Sequence, residues 1–579
     1  MVPPIMEASM TEAADSPAVS RREAVAMIGA AAGAMLAPTA AVHAEEAAAN
    51  IVSGIVYDDR SRAGTRQASD PGLAGILVSN GRDVVRTDAD GRYHLPIGDE
   101  GLVFVIKPAG FSVPLDADNL PRFTYLHQPN GTPAGLGLRY KGVEPSGPLP
   151  ASVDFALTRA EEPQAFDVIL FTDPQPESGA ELDFVRDTAL ASVVGTKAAF
   201  GMTTGDIMFD DLSLYPRYNR LIGQIGVPWW HIGGNHDLNF EAPDAARSRE
   251  TFKRTYGAPY YAFNYGSALF LMLDNVNYLG AGTAPYPGGG GKYEGRFGER
   301  QLAFVANVLR ETPQDLLVIV AMHIPLVNDL NPNEPADVTA DRDQLVKLLA
   351  GRPVLSISGH THTTEHHYLG VNGEHHHHVM TAVSGSWWSG PYDRRGIACA
   401  DSRDGSPHGF HILSIDGNRY TTRFVPAAEP ERRAMRIVLE SQFHENAPEL
   451  ARDYRIAQLF GSPIPAESAG ATYIVVNVFD GGPKTRVRSS IGGRNPVNLR
   501  RIRRRDPFVQ QIYLRNPLTK KSWVKAEPSS HIWMGRLPGD LEPGTHRANI
   551  QVTDEYGREL QDHLLIEVVG ATTTAPRRT

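Results

Sequence analysis

The sequence predicts an α/β sandwich domain set between two β-rich domains, and three observations carry that expectation. Between Phe166 and about Ser384, apolar runs of strand length alternate with helical patterns. From Ile51 to about Leu157, short strands are punctuated by turn residues. Beyond Ser384 the pattern is again β-like, rich in aromatic residues and turns such as Asp416-Gly417-Asn418 and Asp554-Glu555-Tyr556-Gly557. The length of 579 residues fits three or four domains at about 100–200 residues each. With 41% hydrophobic and 21% charged residues the composition is globular rather than disordered. A net charge of −10 argues against bulk affinity for nucleic acid. The single cysteine, Cys399, excludes an intrachain disulfide framework and a cysteine-based zinc cluster. The 55 glycines and 43 prolines call for many turns.

The first 44 residues read as an address. Ser20-Arg21-Arg22 precedes the small-residue apolar stretch Ala24 to Leu36, and Val42-His43-Ala44 offers a cleavage site. The stretch is too short and too weakly apolar to span a bilayer, and no other stretch is apolar enough. The paired arginines resemble a twin-arginine signal, which implies a periplasmic or secreted protein exported after folding. In the next region, Gly54–Tyr57 and Ala74–Ser79 read as strands, with Asn80-Gly81 as a hairpin turn. Together they predict a β-sandwich over residues 51–157.

In the middle region, strands are expected at Asp167–Thr172, Ala199–Thr204, Val227–Ile232, Ala268–Leu273, Leu316–Ala321, Val354–Ser358 and His377–Val383. Helices are expected at Leu182–Val194, Ser213–Gln224, Glu299–Glu311 and Arg342–Leu349. A long loop from about Val276 to Arg296 carries Gly288-Gly289-Gly290-Gly291. The strands end in residues fit for metal and phosphate chemistry: Asp173-Pro174-Gln175, Gly205-Asp206, Gly233-Gly234-Asn235-His236-Asp237, Met322-His323-Ile324-Pro325 and Gly359-His360-Thr361-His362. Carboxyl ends of strands are where α/β sheets place their sites, and metal-assisted phosphate chemistry needs oxygen and nitrogen ligands converging from several elements.

The order and identity of these motifs resemble the calcineurin-like metallophosphoesterase family over about Phe166–Ser384. The flanks, with Val78-Ser79-Asn80-Gly81 before it and Gly385-Ser386-Trp387-Trp388 and Asp404–Gly409 after it, look like the N- and C-terminal β domains of a bacterial three-domain subgroup. The resemblance implies a metallophosphoesterase-type β-sandwich flanked by helices over 166–384, followed by a C-terminal β-rich domain over 385–570. It also implies two divalent metal ions, manganese, iron or zinc, and hydrolysis of phosphomonoesters or phosphodiesters by a metal-held hydroxide. Residue by residue, Asp206 would bridge the metals. Asp173 and His362 would complete one, and Asn235, His323 and His360 the other. His236 would be the catalytic histidine that is not a ligand.

One position departs from the family pattern. Gln175 stands where a histidine is usual, and its neutral carbonyl oxygen is a weaker ligand for mid-row transition metals. It puts metal identity in doubt more than activity, and it is the one feature favouring a non-catalytic envelope binding protein with a degenerate site. A pyrophosphate-bond hydrolase is the alternative within enzymes, since the metal chemistry is shared. A lone Asp173 would ordinarily be a turn or helix cap, and a lone His323 a core histidine; five co-ordered motifs turn both towards ligation. Eight histidines crowd His360–His378. Of these, His366, His367 and His375–His378 read as strand or loop residues, with alternation dividing the run between two faces. Trp229-Trp230 read as core. Trp387-Trp388, Tyr293, Arg296 and Tyr392 are cleft candidates. Arg500–Arg505 reads as a solvated basic face, with anionic substrate or a membrane surface as its functional alternatives. No nucleic-acid module accompanies it. The implied partner is a small or medium phosphoester; its identity and the oligomeric state are not legible.

Overall fold

Two sheets packed face to face position everything that follows. The computed structural model describes residues 50–281, 291–427, 433–440 and 463–570. The segment expected to be an export signal, Gly288-Gly289-Gly290 and the tail after Gly570 lie outside the described residues.

The first central sheet orders Trp229–Ile232, Phe200–Thr204, Ala165–Phe171, Gly409–Asp416 and Arg419–Pro426. The second orders Tyr261–Tyr265, Ala268–Met272, Leu317–Ala321, Val354–Ser358, His375–Val379 and Glu365–Leu369. Strands carrying the motifs run parallel within each sheet, so their carboxyl ends emerge on one side. Both faces of each sheet are covered, which is why these strands are apolar throughout rather than alternating. Val168, Leu170, Phe200 and Met202 pack between the sheets against Phe263, Phe270 and Ile319, with the Phe200 and Phe270 ring centroids 5.1 Å apart. The opposite face of the first sheet, with Ile169 and Phe171, is covered by Gly179–Val185 and Tyr215–Gly223 through Leu182, Val185, Tyr218 and Ile222. Gly298–Arg310 and Arg342–Leu349 bury Val305, Val308, Leu345 and Leu349 in the main core. The expected α/β fold is therefore present, with helices outside two sheets.

Differences from the sequence reading have local causes. The hairpin Gly409–Pro426 lies beyond Ser384, yet it pairs antiparallel with Ala165–Phe171 and completes the first central sheet. The helix expected over Leu182–Val194 begins at Gly179, capped by Ser178 accepting from the Glu181 amide, and passes into a wider turn at Arg186–Leu190. The run His375–His378 divides between two faces as alternation requires, His375 and His377 toward Ser356 and His376 and His378 toward Tyr420 and Asp480, and all four are buried because this sheet has no solvent face. Trp229 and Trp230 are core, as expected. Arg500–Arg505 is not a free basic face. It pairs with Pro528–Arg536, Arg504 bonds the buried Glu440 at 2.5 and 3.1 Å, and Arg501 and Arg505 donate to the Ser530 and Ala526 carbonyls.

The N-terminal region forms two four-stranded sheets. It joins the central domain through a buried ion pair. Lys107 Nζ donates to Glu162 Oε1 and to the Asn264 carbonyl, both at 2.6 Å. Glu162 Oε2 accepts from the Gly110 and Gly266 amides at 2.9 Å. Both side chains are at most 6% exposed. Breaking a buried pair strands a charge, so Glu162→Ala is expected to cost about 3 kcal/mol in a urea unfolding titration. A variant as stable as the parent would show the pair to be dispensable.

The C-terminal region packs Met435–Glu440, Tyr473–Val478, Pro528–Arg536 and Arg500–Arg505 in one sheet against a five-stranded second sheet. A helix over Pro507–Arg515 starts where Asp506 caps the Phe508 and Val509 amides and proline occupies the first turn.

Candidate metal centre

The loops at the strand ends are held in left-handed backbone conformations. Asp173, Gln175, Asp206, His360 and His362 have φ of 47°, 38°, 49°, 73° and 53°. Side chains other than glycine rarely adopt such angles, and their concentration at one place is characteristic of a site whose geometry is imposed by its surroundings. Two glycines let the loops close on the carboxylates. A Cβ on Gly234 would lie 2.0 Å from Asp206 Oδ1, and one on Gly359 would lie 2.0 Å from Asp173 Oδ2. Asp173 accepts the His360 amide at 3.0 Å, and Asp206 accepts the His236 amide at 2.9 Å.

Seven of the eight residues singled out in the sequence converge here, and the eighth, His236, lies beside them. His323 donates from Nδ1 to the Thr204 carbonyl at 3.1 Å, which leaves its Nε2 as a lone pair. That Nε2 lies 3.0 Å from Asn235 Oδ1, 3.2 Å from Asp206 Oδ2 and 3.1 Å from His360 Nδ1. His360 is oriented by Asp337, whose Oδ1 accepts from Nε2 at 3.0 Å, so its Nδ1 is a lone pair as well. Four electron-pair donors thus crowd one point. A proton relieves this partly: although burial opposes the charge, Asp206 outweighs it and lifts the His323 pKa to about 9. A divalent cation relieves it fully.

Beside this set, His362 gives its Nδ1–H to the Gly385 carbonyl, and its buried Nε2 has no hydrogen-bond partner. It lies 3.7 Å from Asp173 Oδ1 and stacks on the Trp387 ring at 3.9 Å between centroids. Gln175 donates to Asp206 Oδ2 at 2.6 Å, and its buried carbonyl oxygen is likewise unpartnered. Asp206 stands between the two sets, its carboxyl held well below the usual range because His323 and His236 outweigh its burial. These orphaned acceptors fit two cations sharing Asp206.

His236 sits apart from this convergence. Its Nδ1 is 2.6 Å from Asp210 Oδ1 and its ring stacks on Phe209. Burial opposes protonation, but Asp206 and Asp210 raise its pKa to about 9. A cavity of about 180 Å³ opens above the cluster, lined by His236 and by Tyr293, Asn331, Trp387 and Arg403. Trp388 instead buries its ring and donates to the Pro174 carbonyl. Arg296 pairs with Glu294, and Tyr392 is exposed; neither lines the cavity.

Several supporting residues carried no sequence signal. Asp337 and Asp210 orient the two histidines. Asn275 accepts the amides of His323 and Ile324 through Oδ1. Asp237, by contrast, stands in the Gly233–Asp237 motif read from the sequence, and it accepts from the Ile207, Met208 and Gly234 amides, tying two of the motif loops together.

Three family models match the chain in sequence order. The N terminal of calcineurin-like phosphoesterase matches residues 60–135, calcineurin-like phosphoesterase itself residues 169–364, and its C terminal residues 377–560. The chain belongs to the calcineurin-like phosphoesterase family. It is a phosphoesterase, a hydrolase of phosphoester bonds, and membership of the calcineurin-like family implies a centre of two divalent metal ions. Among solved structures it is similar to a dimetal phosphatase from Danio rerio, at 16% identity over 45% of this chain and 95% of that one, with a TM-score of 0.31. It is also similar to a purple acid phosphatase from yellow lupin seeds, at 12% identity over 63% of this chain and 70% of that one, with a TM-score of 0.33. No curated protein matches it. Among the described residues no helix is long and apolar enough to cross a membrane.

Proposed function

We propose that this calcineurin-like phosphoesterase hydrolyses small phosphomonoesters or phosphodiesters outside the cytoplasm, with Asp173, Gln175, Asp206, Asn235, His323, His360 and His362 holding its two metals. The observation that carries the reading is the convergence of Asp206, Asn235 and His360 on the lone pair of His323, within 3.2 Å. Bound divalent ions supply an acidified water and neutralise charge on phosphoryl oxygens. The chain's own residues do the rest. Arg403 offers a guanidinium at the cavity, anchored to Glu527 at 2.9 Å and lying over the Trp387 ring, in position to bind a phosphoryl oxygen. His236, held by Asp210 and protonated at neutral pH, gives a proton to the leaving oxygen. Asn331 and Tyr293 border the remaining wall. We also propose the domain limits 51–157, 166–384 and 385–570, with Gly409–Pro426 assigned to the central domain because it pairs into the central sheet.

The test is a panel of aryl and alkyl phosphomonoesters, phosphodiesters and nucleotide-sugar pyrophosphates, assayed with manganese, iron and zinc after chelation. Ester hydrolysis restored by metal is expected. Cleavage confined to the pyrophosphates would replace the proposal with the pyrophosphatase reading. Export rests on Ser20-Arg21-Arg22 and the apolar stretch after it. Fractionation of cells producing the full chain, with and without Arg21→Lys and Arg22→Lys together, tests it: the variant should stay in the cytoplasm.

A further inference from the structure

A second convergence of histidines lies where the two central sheets meet the C-terminal region. His366 and His378 are cross-strand partners on Glu365–Leu369 and His375–Val379. Their rings stack at 3.9 Å between centroids. Asp480 reaches them from the turn after Tyr473–Val478, a strand of the C-terminal sheet. Asp480 Oδ1 lies 3.4 Å from His366 Nε2 and 3.0 Å from His378 Nε2. Both histidine side chains are wholly buried.

The hydrogen bonds around the rings accommodate a tautomer that leaves these nitrogens free to ligate. His366 Nδ1 faces His376 Nε2 at 2.9 Å, and His376 Nδ1 faces the Tyr420 hydroxyl at 3.0 Å. His378 Nδ1 faces Thr422 Oγ1 at 3.3 Å, and Thr422 in turn bonds the Tyr556 hydroxyl at 2.8 Å. A chain that runs outward from each Nδ1–H leaves both Nε2 atoms as lone pairs. Consistent with this, neither Nε2 makes a hydrogen bond, although a carboxylate oxygen is within reach. Two lone pairs set against a carboxylate in a buried place repel unless a cation lies among them. The separations of 3.0 and 3.4 Å match the ligand-to-ligand edge of a tetrahedral zinc site, about 3.3 Å for bonds of about 2.0–2.1 Å. His411 completes the surroundings. Its Nε2 lies 3.3 Å from the same carboxylate oxygen and donates to it, the kind of outer contact that holds a ligating carboxylate in place.

We propose that His366, His378 and Asp480 form a zinc site, additional to the dinuclear centre, that clamps the C-terminal region onto the central sheets. Two imidazole nitrogens and one carboxylate oxygen are ligands zinc takes readily, and cysteine is not needed. Asp480 also borders a cavity of about 620 Å³ lined by Phe424, Val425 and Arg558, which gives the ion a way in. The site uses none of the residues of the dinuclear centre, so it is tested without reference to hydrolysis.

The experiment is the zinc content of the full chain after zinc loading and desalting, by elemental analysis. Asp480→Asn is expected to carry one ion fewer per chain than the parent, and to lose the part of the thermal stability that a chelator removes from the parent. An Asp206→Asn, His362→Ala double variant should retain that ion. Asp480→Asn that folds and keeps the parent's zinc content overturns the site, as does a double variant without zinc. Should Asp480→Asn fail to fold, anomalous diffraction from zinc-grown crystals of the parent decides. A peak between His366, His378 and Asp480 is expected, and its absence overturns the proposal.

Discussion

Asp206→Asn is expected to lower kcat by at least about a thousandfold, equivalent to about 4 kcal/mol in the barrier. It should also release metal from the centre. The carboxylate is buried, and every contact it makes depends on its charge or its two acceptor oxygens. Oδ1 accepts the His236 amide at 2.9 Å, and Oδ2 accepts from Gln175 at 2.6 Å and lies 3.2 Å from His323 Nε2. An asparagine would keep the shape but could present acceptor character on one side only. Its NH2 group would meet either the backbone N–H of His236 or the Gln175 amide, donor against donor. It would also remove the negative charge that two cations a few ångströms apart need between them. Activity and metal content should therefore fall together. Activity at the parental level in this variant would exclude Asp206 as the shared ligand and with it the dinuclear reading.

The part of this centre legible in the sequence was the part encoded as short contiguous motifs at strand ends. A parallel strand delivers its following loop to one edge of the sheet, so five such motifs in order imply a common meeting place before any contact is known. Asp337, Asp210, Asn275 and Arg403 gave no comparable signal. Each is one polar residue in a loop, and only tertiary packing brings it to a histidine, a backbone turn or the cavity. The hairpin Gly409–Pro426 was misplaced for a related reason. Its alternation resembles the β pattern that follows, and nothing local shows that its partner is Ala165–Phe171, more than two hundred residues earlier. The histidine run shows the limit of periodicity itself. Alternation assigns faces but cannot reveal that both faces are covered, and it was the covering of both that placed His378 beside Asp480. The helix Pro507–Arg515, by contrast, had a readable start in Asp506-Pro507 that the β-rich surroundings obscured.

His236→Ala is expected to reduce kcat by about a hundred- to ten-thousandfold, the range for removing a general acid. The size of the loss should depend on the leaving group. An alkoxide leaving from an alkyl phosphate needs a proton, whereas a nitrophenolate departs readily without one. The variant should thus be most impaired on alkyl esters and least on nitrophenyl esters. Equal losses on both would assign His236 to binding rather than to proton transfer. The pH dependence follows from the direction of its shift. Asp206 and Asp210 outweigh burial and raise the folded pKa to about 9 from 6.5, so the protonated, active form persists through neutrality and is lost as pH rises through the raised value. Asp210→Asn removes one of the two carboxylates responsible, along with the anchor on Nδ1 at 2.6 Å. Its alkaline limb should accordingly move to lower pH while metal content stays at the parental level. A limb that does not move in Asp210→Asn would mean that the proton comes from another group. An alkaline limb that persists unchanged in His236→Ala would mean the same.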